Sequence, residues 1–515
     1  MGFQFIELNI ATGFSPDDLK HKIAKKLRIP FETLSYTIER QSLDARDKRD
    51  IHWKIRAGVS SPGLKGAPEA REETLHIAFQ KKEKHIVVVG SGPAGFFAAY
   101  TAVCAGFRVT ILEQGPEVDS RLKHIVEFER SGVLNEKSNY AFGEGGAGTF
   151  SDGKLTSRTK TISIERKFII DTYIEAGAPP EIGYLSSPHL GSDNLRKIVK
   201  RLREKFIERG GNIFFDSQVT GIEISGGNTS CVKSVETTSG KIEGDYFIFA
   251  CGHSSYETYR MLMGKGIPFR VKPFALGCRV EHSQEEINIS QWGVPALKGV
   301  KSAEYKLTFN ESGLLPVYSF CMCPGGKVVP ASAYAKTQVV NGMSNYLRSS
   351  PYANSAIVAG VDLNQLLQKE LNPTEALEWL ERLEQNFYNF SGSYAAPALY
   401  IHDFIEGKIS GGIGRTSYPL GVVPADFEEL LPAPVIDSIR AGMKDFCRKI
   451  KGFEKGLMLG LESKTSSPVQ ALREKNGKSL AMENLYLCGE GSGYSGGIIS
   501  SGADGIKAVL DILSV

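Results

Sequence analysis

No two of the eight cysteines are spaced C-x-x-C, and most lie in apolar, strand-like runs. They read as buried, reduced thiols of a cytoplasmic protein, and no metal site is expected. An excess of one charge is missing too. Lys and Arg number 61 against 58 Asp and Glu, a net charge of +3 that names no partner. The opening residues, MGFQFIELNI, have neither the basic n-region nor the apolar h-region of a secretory signal, and they lack the Ser or Thr of a myristoylation site. The longest apolar run is broken by Gly and Pro, so no membrane span is expected. There is no internal repeat and no low-complexity tract. What remains is a chain of 515 residues, 41% hydrophobic and 23% charged, the composition of a soluble protein of several domains.

The stretch His85 to Gly115, HIVVVGSGPAGFFAAYTAVCAGFRVTILEQG, organises the rest. It reads as strand, glycine turn, helix, strand. Ile86 to Val89 is a β-branched run suited to a strand buried on both faces. Gly90, Gly92 and Gly95 follow as G-x-G-x-x-G. The first glycine allows the tight turn, the second lets backbone approach a pyrophosphate, and the third lets helix pack on strand. Pro93 and Ala94 open a helix whose N–H groups can face phosphate. The second strand, Arg108 to Leu112, ends in Glu113 and Gln114, and Glu113 stands where a carboxylate would accept ribose hydroxyls. A glycine-rich turn in an ordinary βαβ unit would not need this acid, so dinucleotide binding is the reading.

Residues 1–82 look like a small α+β unit. FQFIELNI alternates as a strand, Ser15 caps the amphipathic DDLKHKIAKKL, and LSYTIER and IHWKIRAGV are further strands. Ser60 to Glu73 reads as a linker before a strand at Thr74 to Phe79. Asp44, Asp47 and Asp50 interleave with the basic residues here, so a solvated face is favoured over a nucleic-acid surface.

Beyond Glu113 come Arg121 and NYAFGEGGAGTFSDGKLTSR, Asn139 to Arg158, whose glycines, Gly145 and Gly146 among them, suit a loop lying against a flat ligand. Ser192 or Asp193 is expected to cap the helix that follows His189. Strands at KPFALGCRVEH, SAEYKLTF, PVYSFCMCPGGKVVPASA and QVVNGMSN point to a largely antiparallel sheet. LNQLLQKELNPTEALEWLERLEQNFYNF is helical with a break at Pro373, and PAPVIDSIRAGMKDFCRKI is another helix.

The opening stretch and the C-terminal NLYLCGEGSGYSGGIISSGADGIKAVLDIL together resemble FAD-binding proteins of the glutathione-reductase-like superfamily. SLDAR, GGAGTFSDGKL, PHLGSDNL, GHS, RVEH, NGMSNYLRSSPYANSA, PLGVVPADFEELLP and LESKTSSPV are similar to the uncharacterised family of FAD-dependent (NAD/FAD-utilizing) dehydrogenases. The chain departs from that pattern in carrying Ser192 and Lys464, where Thr and Arg are the family's residues. Lys keeps the charge but loses the bidentate fork.

The resemblance implies an α/β architecture. A Rossmann-like FAD-binding domain, residues 83–262 and 443–515, would hold an inserted, mainly antiparallel α+β substrate domain, residues 263–442, behind the N-terminal unit. It implies that backbone at Val219 touches adenine and that the Cys251-Gly252 turn packs on the cofactor. Gly489 and Glu490 would reach the ribityl chain, and Gly496, Gly497 and Ile498 would start a helix at the flavin. The activity implied is an FAD-dependent oxidoreductase moving hydride through flavin N5 to or from a small molecule. Arg279 is a candidate to hold a carboxylate or phosphate, His189 or His282 to move a proton, and Lys464 to line the pocket. No C-x-x-x-x-C follows the glycine motif, and no second G-x-G-x-x-G follows a strand. A nicotinamide co-substrate, NAD(P)H, would therefore meet the open flavin face directly. The other classes are a flavin-dependent tRNA-modifying protein and an FAD-binding sensor without turnover.

Overall fold

The computed structural model describes residues 2–67, 74–157, 159–225, 230–409 and 411–514. Arg158, at the end of the glycine-rich segment, and residues 68–73 of the linker lie outside the described residues.

At the N-terminus β1 (Gly2–Ala11), α1 (Pro16–Leu27), β2 (Ser35–Asp44) and β3 (His52–Ser61) build an antiparallel sheet of order β1-β3-β2 under one helix. Alternation along β1 sends Ile6, Leu8 and Ile10 inward, where Leu19, Ile23 and Ala24 of α1 meet them. Ser15 caps α1 as expected: its Oγ accepts from the Asp18 N–H at 3.2 Å while Asp18 accepts from the Ser15 N–H at 2.8 Å. Asp44 pairs with both Arg46 and Lys54, so part of the positive charge here is met internally.

Thr74–Phe79 is irregular and forms no strand. The next strand is flanked on both sides by others, so this segment finds no ladder to join.

The chain then runs through β4 (His85–Val89), α2 (Pro93–Cys104), β5 (Arg108–Leu112), α3 (Val118–Ser131), α4 (Ser163–Glu175), α5 (Gly191–Glu208) and β6 (Asn212–Phe214). A meander of β7 (Val219–Ser225), β8 (Cys231–Thr237) and β9 (Gly240–Glu243) leads to β10 (Tyr246–Phe249). Helix α5 starts one residue before the expected caps, and no side chain caps it. Gly191 takes φ +72 against the Tyr346 backbone, and Asp193 is spent accepting the Tyr346 N–H at 2.8 Å.

The middle of the chain holds α6 (Tyr256–Gly264), β11 (Phe269–Val271), β12 (Phe274–Ser283), α7 (Gln284–Trp292), β13 (Thr308–Phe309), β14 (Val317–Cys323), β15 (Gly326–Pro330), β16 (Val340–Ser344) and β17 (Tyr352–Val361). After these come α8 (Leu363–Leu367), α9 (Pro373–Ser391), β18 (Ala396–Tyr400), α10 (Ile401–Glu406), β19 (Val422–Pro424), α11 (Ala433–Lys449), β20 (Leu457–Glu462) and β21 (Val469–Ala471). The chain closes with β22 (Leu485–Leu487) and α12 (Ile498–Ser514).

Two sheets dominate. The first is parallel, order β22-β10-β4-β5-β6, and joins the C-terminal strand to the early ones. Its central strands are apolar throughout because helices cover the sheet, and α2 and α12 pack together on it. The second has order β13-β14-β17-β12-β20-β18-β19 and is antiparallel except where β18 meets β19. Strand β20 follows residue 442, yet it pairs between β12 and β18, so its ladder ties it to this second sheet. Strand β17 was not expected from the sequence; its YANSAIVAGV is buried on both faces and shows no alternation. Of SAEYKLTF only Thr308 and Phe309 are strand. Pro373 opens α9 as its first residue, with Asn372 as cap. Among the described residues no helix is long and apolar enough to cross a membrane.

Candidate functional site

The C-terminal ends of β4, β5, β10 and β22 converge on one crevice, the usual place for a ligand in such a sheet. At β4 the turn is tight. Gly90 has φ +100, and a Cβ there would lie 2.5 Å from the Ala250 carbonyl oxygen; one on Gly95 would lie 2.0 Å from that of Gly90. Only glycine fits either position. Gly92 is the cap residue of α2 and Pro93 follows it, with no side chain closing the helix end. The first N–H groups, Ala94 and Gly95 included, thus keep their capacity for an anion.

Glu113 is buried at the end of β5. One oxygen accepts from the Ser91 N–H at 3.0 Å and Oγ at 2.6 Å; the other accepts from Gly115 N–H at 3.0 Å and Gly143 N–H at 3.2 Å. It joins the glycine turn, its own turn with the half-buried Gln114, and the glycine-rich loop. Arg121 lies under that loop with no exposed surface. Its guanidinium donates to the carbonyls of Asn139, Tyr140, Gly143, Glu144 and Gly146 at 2.8–3.2 Å. The structure therefore gives Arg121 the loop's backbone as its partner and makes it the loop's clamp. Burial pulls it down to about 10. The clamp holds Gly146, at φ +63, so close that a Cβ on it would stand 3.0 Å from the Gly92 Cα, while Gly145 N–H donates to Ser91 Oγ at 3.3 Å.

The other lip comes from later in the chain. Val219 is buried at the start of β7. Cys251 follows β10, its thiol pushed up to about 12 by burial and then by the Glu113 charge. Gly489 N–H donates to Asp504 of α12 at 2.8 Å. Glu490 is pushed up to about 8, by burial first and then by Cys321, against the pull of Lys272. A Cβ at Gly252, Gly496 or Gly497 would meet nothing within 4 Å, so the segments before α6 and Ile498 of α12 border open space. A dinucleotide fits this frame: close-approach glycines and a free helix end on one side, an open glycine cradle on the other.

The second sheet contributes buried polar clusters. Arg279 on β12 donates to Glu462 at 2.7 Å, to Asn354 and Asn341 at 2.8 Å each, and to the Cys321 carbonyl at 2.7 Å. The backbone of His189 pairs with that of Lys154, and its Nε2 sits 3.0 Å from the Tyr346 carbonyl. Burial, then Arg348, holds it down near 4. Lys154 pairs with Asp152 at 3.2 Å, and Arg348 with the same carboxylate at 2.7 Å. His282, by contrast, is on the other face of β12, 2.9 Å from the Phe453 carbonyl and tilted against that ring, so it is not brought to Arg279. Lys464 is spent on Glu384 at 2.7 Å and on the Tyr256 hydroxyl. Its carbonyl is 2.6 Å from His253 Nε2, a contact the sequence reading missed although it marked the GHS segment. Arg348, Cys321 and Cys323 were missed as well. Asp152 stands in the glycine-rich segment expected to contact a ligand, but nothing local links it to Arg348, nearly two hundred positions away.

Residues 85–125 match the family described as "FAD binding domain", 163–301 that of "FAD dependent oxidoreductase", and 273–465 that of "FAD-dependent protein, C-terminal domain-like". Residues 4–60 match a domain of unknown function. An uncharacterized protein of Clostridium beijerinckii is 36% identical over 536 residues, covering 100% of this chain and 99% of its own length. Among solved structures, glycine oxidase from Bacillus cereus is 12% identical with a TM-score of 0.34, covering 84% of this chain and 95% of that one. A flavoprotein/dehydrogenase from Cytophaga hutchinsonii is 12% identical with a TM-score of 0.35, covering 84% and 79%. The chain belongs to the family of the Clostridium beijerinckii protein, and it is an FAD-dependent oxidoreductase.

Proposed function

We propose that the chain moves a hydride between FAD and a small-molecule substrate where the Gly489-Glu490 segment meets the second sheet. Bound FAD supplies two-electron chemistry at flavin N5. The chain's part is to hold, cover and balance charge. Gly90, Gly92 and Gly95 with the start of α2 would take the pyrophosphate, Glu113 the ribose, and Val219 and the Cys251-Gly252 turn the adenosine side. Gly496, Gly497 and Ile498 would bring the α12 N-terminus to the flavin, where a positive helix end favours the electron-rich form.

The observation that carries the reading is the crevice itself: at Gly90 and Gly95 no side chain fits, and the start of α2 beside them has no side-chain cap. Glu490 supports it: burial first, then Cys321, raises its carboxyl to about 8, which keeps it protonated at neutral pH. It can donate a hydrogen bond beside the cofactor without adding a negative charge. His189 supports the proton side: it is neutral at pH 7, and with Nε2–H on the Tyr346 carbonyl its Nδ1 is an acceptor. A nicotinamide nucleotide meeting the flavin directly is the donor in this reading, and the cytoplasm is its site. The test is a visible spectrum of the purified protein followed by anaerobic titration with NADPH and NADH. Flavin bands that bleach with one nucleotide support the reading. Bands that persist remove the nicotinamide donor, and no bands after added FAD remove the whole of it.

A further inference from the structure

Strand β14 carries two thiols, Cys321 and Cys323, that flavin binding leaves without a task. Against β17 the register slips between them and Phe320: Phe320 faces Ala356, but Cys323 faces Asn354. Three steps on β14 thus match two on β17, a β-bulge, and Cys321 within it takes φ +43. A residue with a side chain stays in that region only where its surroundings hold it.

Two cations do so. Arg279 Nη2 donates to the Cys321 carbonyl at 2.7 Å, and Lys154 Nζ donates to the Met322 carbonyl. Cys323 is buried, and its thiol donates to the Cys321 carbonyl oxygen at 3.3 Å. Cys321 is only half-buried. With a single residue between them the two Cα atoms are at most about 7 Å apart, and the bulge at Cys321 shortens that span into the range a disulfide bridges.

The charges agree with the geometry. Burial pushes up the thiols of Cys104, Cys251, Cys278, Cys447 and Cys488. Cys321 goes the other way: its neighbour Cys323 and the charges of Lys154 and Arg279 lower it, against burial and Asp152. Packed contacts join the bulge to the proposed flavin pocket: Arg279 holds both the Cys321 carbonyl and Glu462; two residues on, the Lys464 carbonyl meets His253 Nε2 at 2.6 Å; and the neighbouring Gly252 carbonyl lies against Gly491, beside Glu490.

We propose that Cys321 and Cys323 are a thiol–disulfide pair that exchanges two electrons with bound FAD, the outer substrate being a small disulfide reached at Cys321. The proposal rests on FAD lying against Glu490. Reduced FAD gives two electrons to the Cys321–Cys323 bond. The S–S bond breaks, the Cys321 sulfur remains a thiolate beside Lys154 and Arg279, and Cys323 takes a proton. The Cys321 thiolate then attacks one sulfur of the substrate and expels the other as a thiolate. Cys323 loses its proton and attacks Cys321, which re-forms the internal disulfide and releases the second thiol.

An electron count on the holoprotein tests this. The FAD-loaded chain is treated with diamide, freed of oxidant and titrated anaerobically with dithionite. The expected uptake is four electrons per flavin, with the Cys321–Cys323 peptide lighter by two hydrogens before titration, against two electrons in Cys323→Ser. Two electrons in the unaltered chain, with both thiols still open to alkylation after diamide, overturns the exchange alone. A chain that takes up no flavin overturns the FAD assignment with it. A flavin-independent reading uses iodoacetamide. Labelling of Cys321 should persist to a lower pH than that of an ordinary cysteine and slow about tenfold at neutral pH in Lys154→Met. A midpoint at the ordinary cysteine value overturns the proposal.

Discussion

Arg279 Nη1 and Glu462 Oε2 stand 2.7 Å apart between β12 and β20, their side chains 0% and 2% exposed. The pair welds a strand from the middle of the chain to one from near its end. Removing one partner strands the other charge. Arg279→Met should therefore destabilise by about 3–5 kcal/mol, and Arg279→Met with Glu462→Leu should recover part of that loss. Denaturant midpoints of the single and double variants check this. Equal loss in both would show that the ion pair is not what matters there.

A methyl group on Gly95 would sit 2.0 Å from the Gly90 carbonyl oxygen. Gly95→Ala should push α2 off the turn, cost about 1–3 kcal/mol by overpacking and weaken flavin retention. The ratio of flavin to protein absorbance after desalting, together with Tm, reads both effects. Normal flavin content would detach this turn from the cofactor.

Glu490 gives a pH signature. Its folded value, about 8, is raised above the unfolded value of about 4.3. Stability from this group is complete below about pH 4.3 and is lost as pH rises through 8. Glu490→Gln should flatten the apoprotein's Tm between those limits. An unchanged profile would mean that the carboxyl ionises freely.

His189 and His253 act in the opposite direction. Burial holds each near 4, below the unfolded value of about 6.5. Their contribution is present above about pH 6.5 and is lost as pH falls through 4. The chain should unfold more readily in denaturant at pH 5 than at pH 7, and His253→Gln should reduce the difference. NMR titration of the two imidazoles gives the direct check.

Local chemistry made part of this protein readable in one dimension. The Ser15–Asp18 capping box, the break at Pro373 and the β4–α2–β5 unit depend on neighbours a few residues apart, so spacing alone reveals them. Gly90, Gly95 and Glu113 belong here as well, because a tight turn between parallel strands demands them. The tertiary structure decided what depends on register and on distant partners. Strand β20 joined the second sheet through its ladders with β12 and β18, a choice its LMLGLE does not encode. The helix at Gly191 began early because Tyr346 claimed Asp193. Arg121, an apparent ligand contact, turned to the loop carbonyls because burial leaves a guanidinium no water to donate to. The Cys321 bulge exists only because Arg279 and Lys154, each remote in sequence, arrive at adjacent carbonyls. Hydrogen-bond registers and buried charge pairs are settled by which strands meet, and that follows from the closing of the whole core.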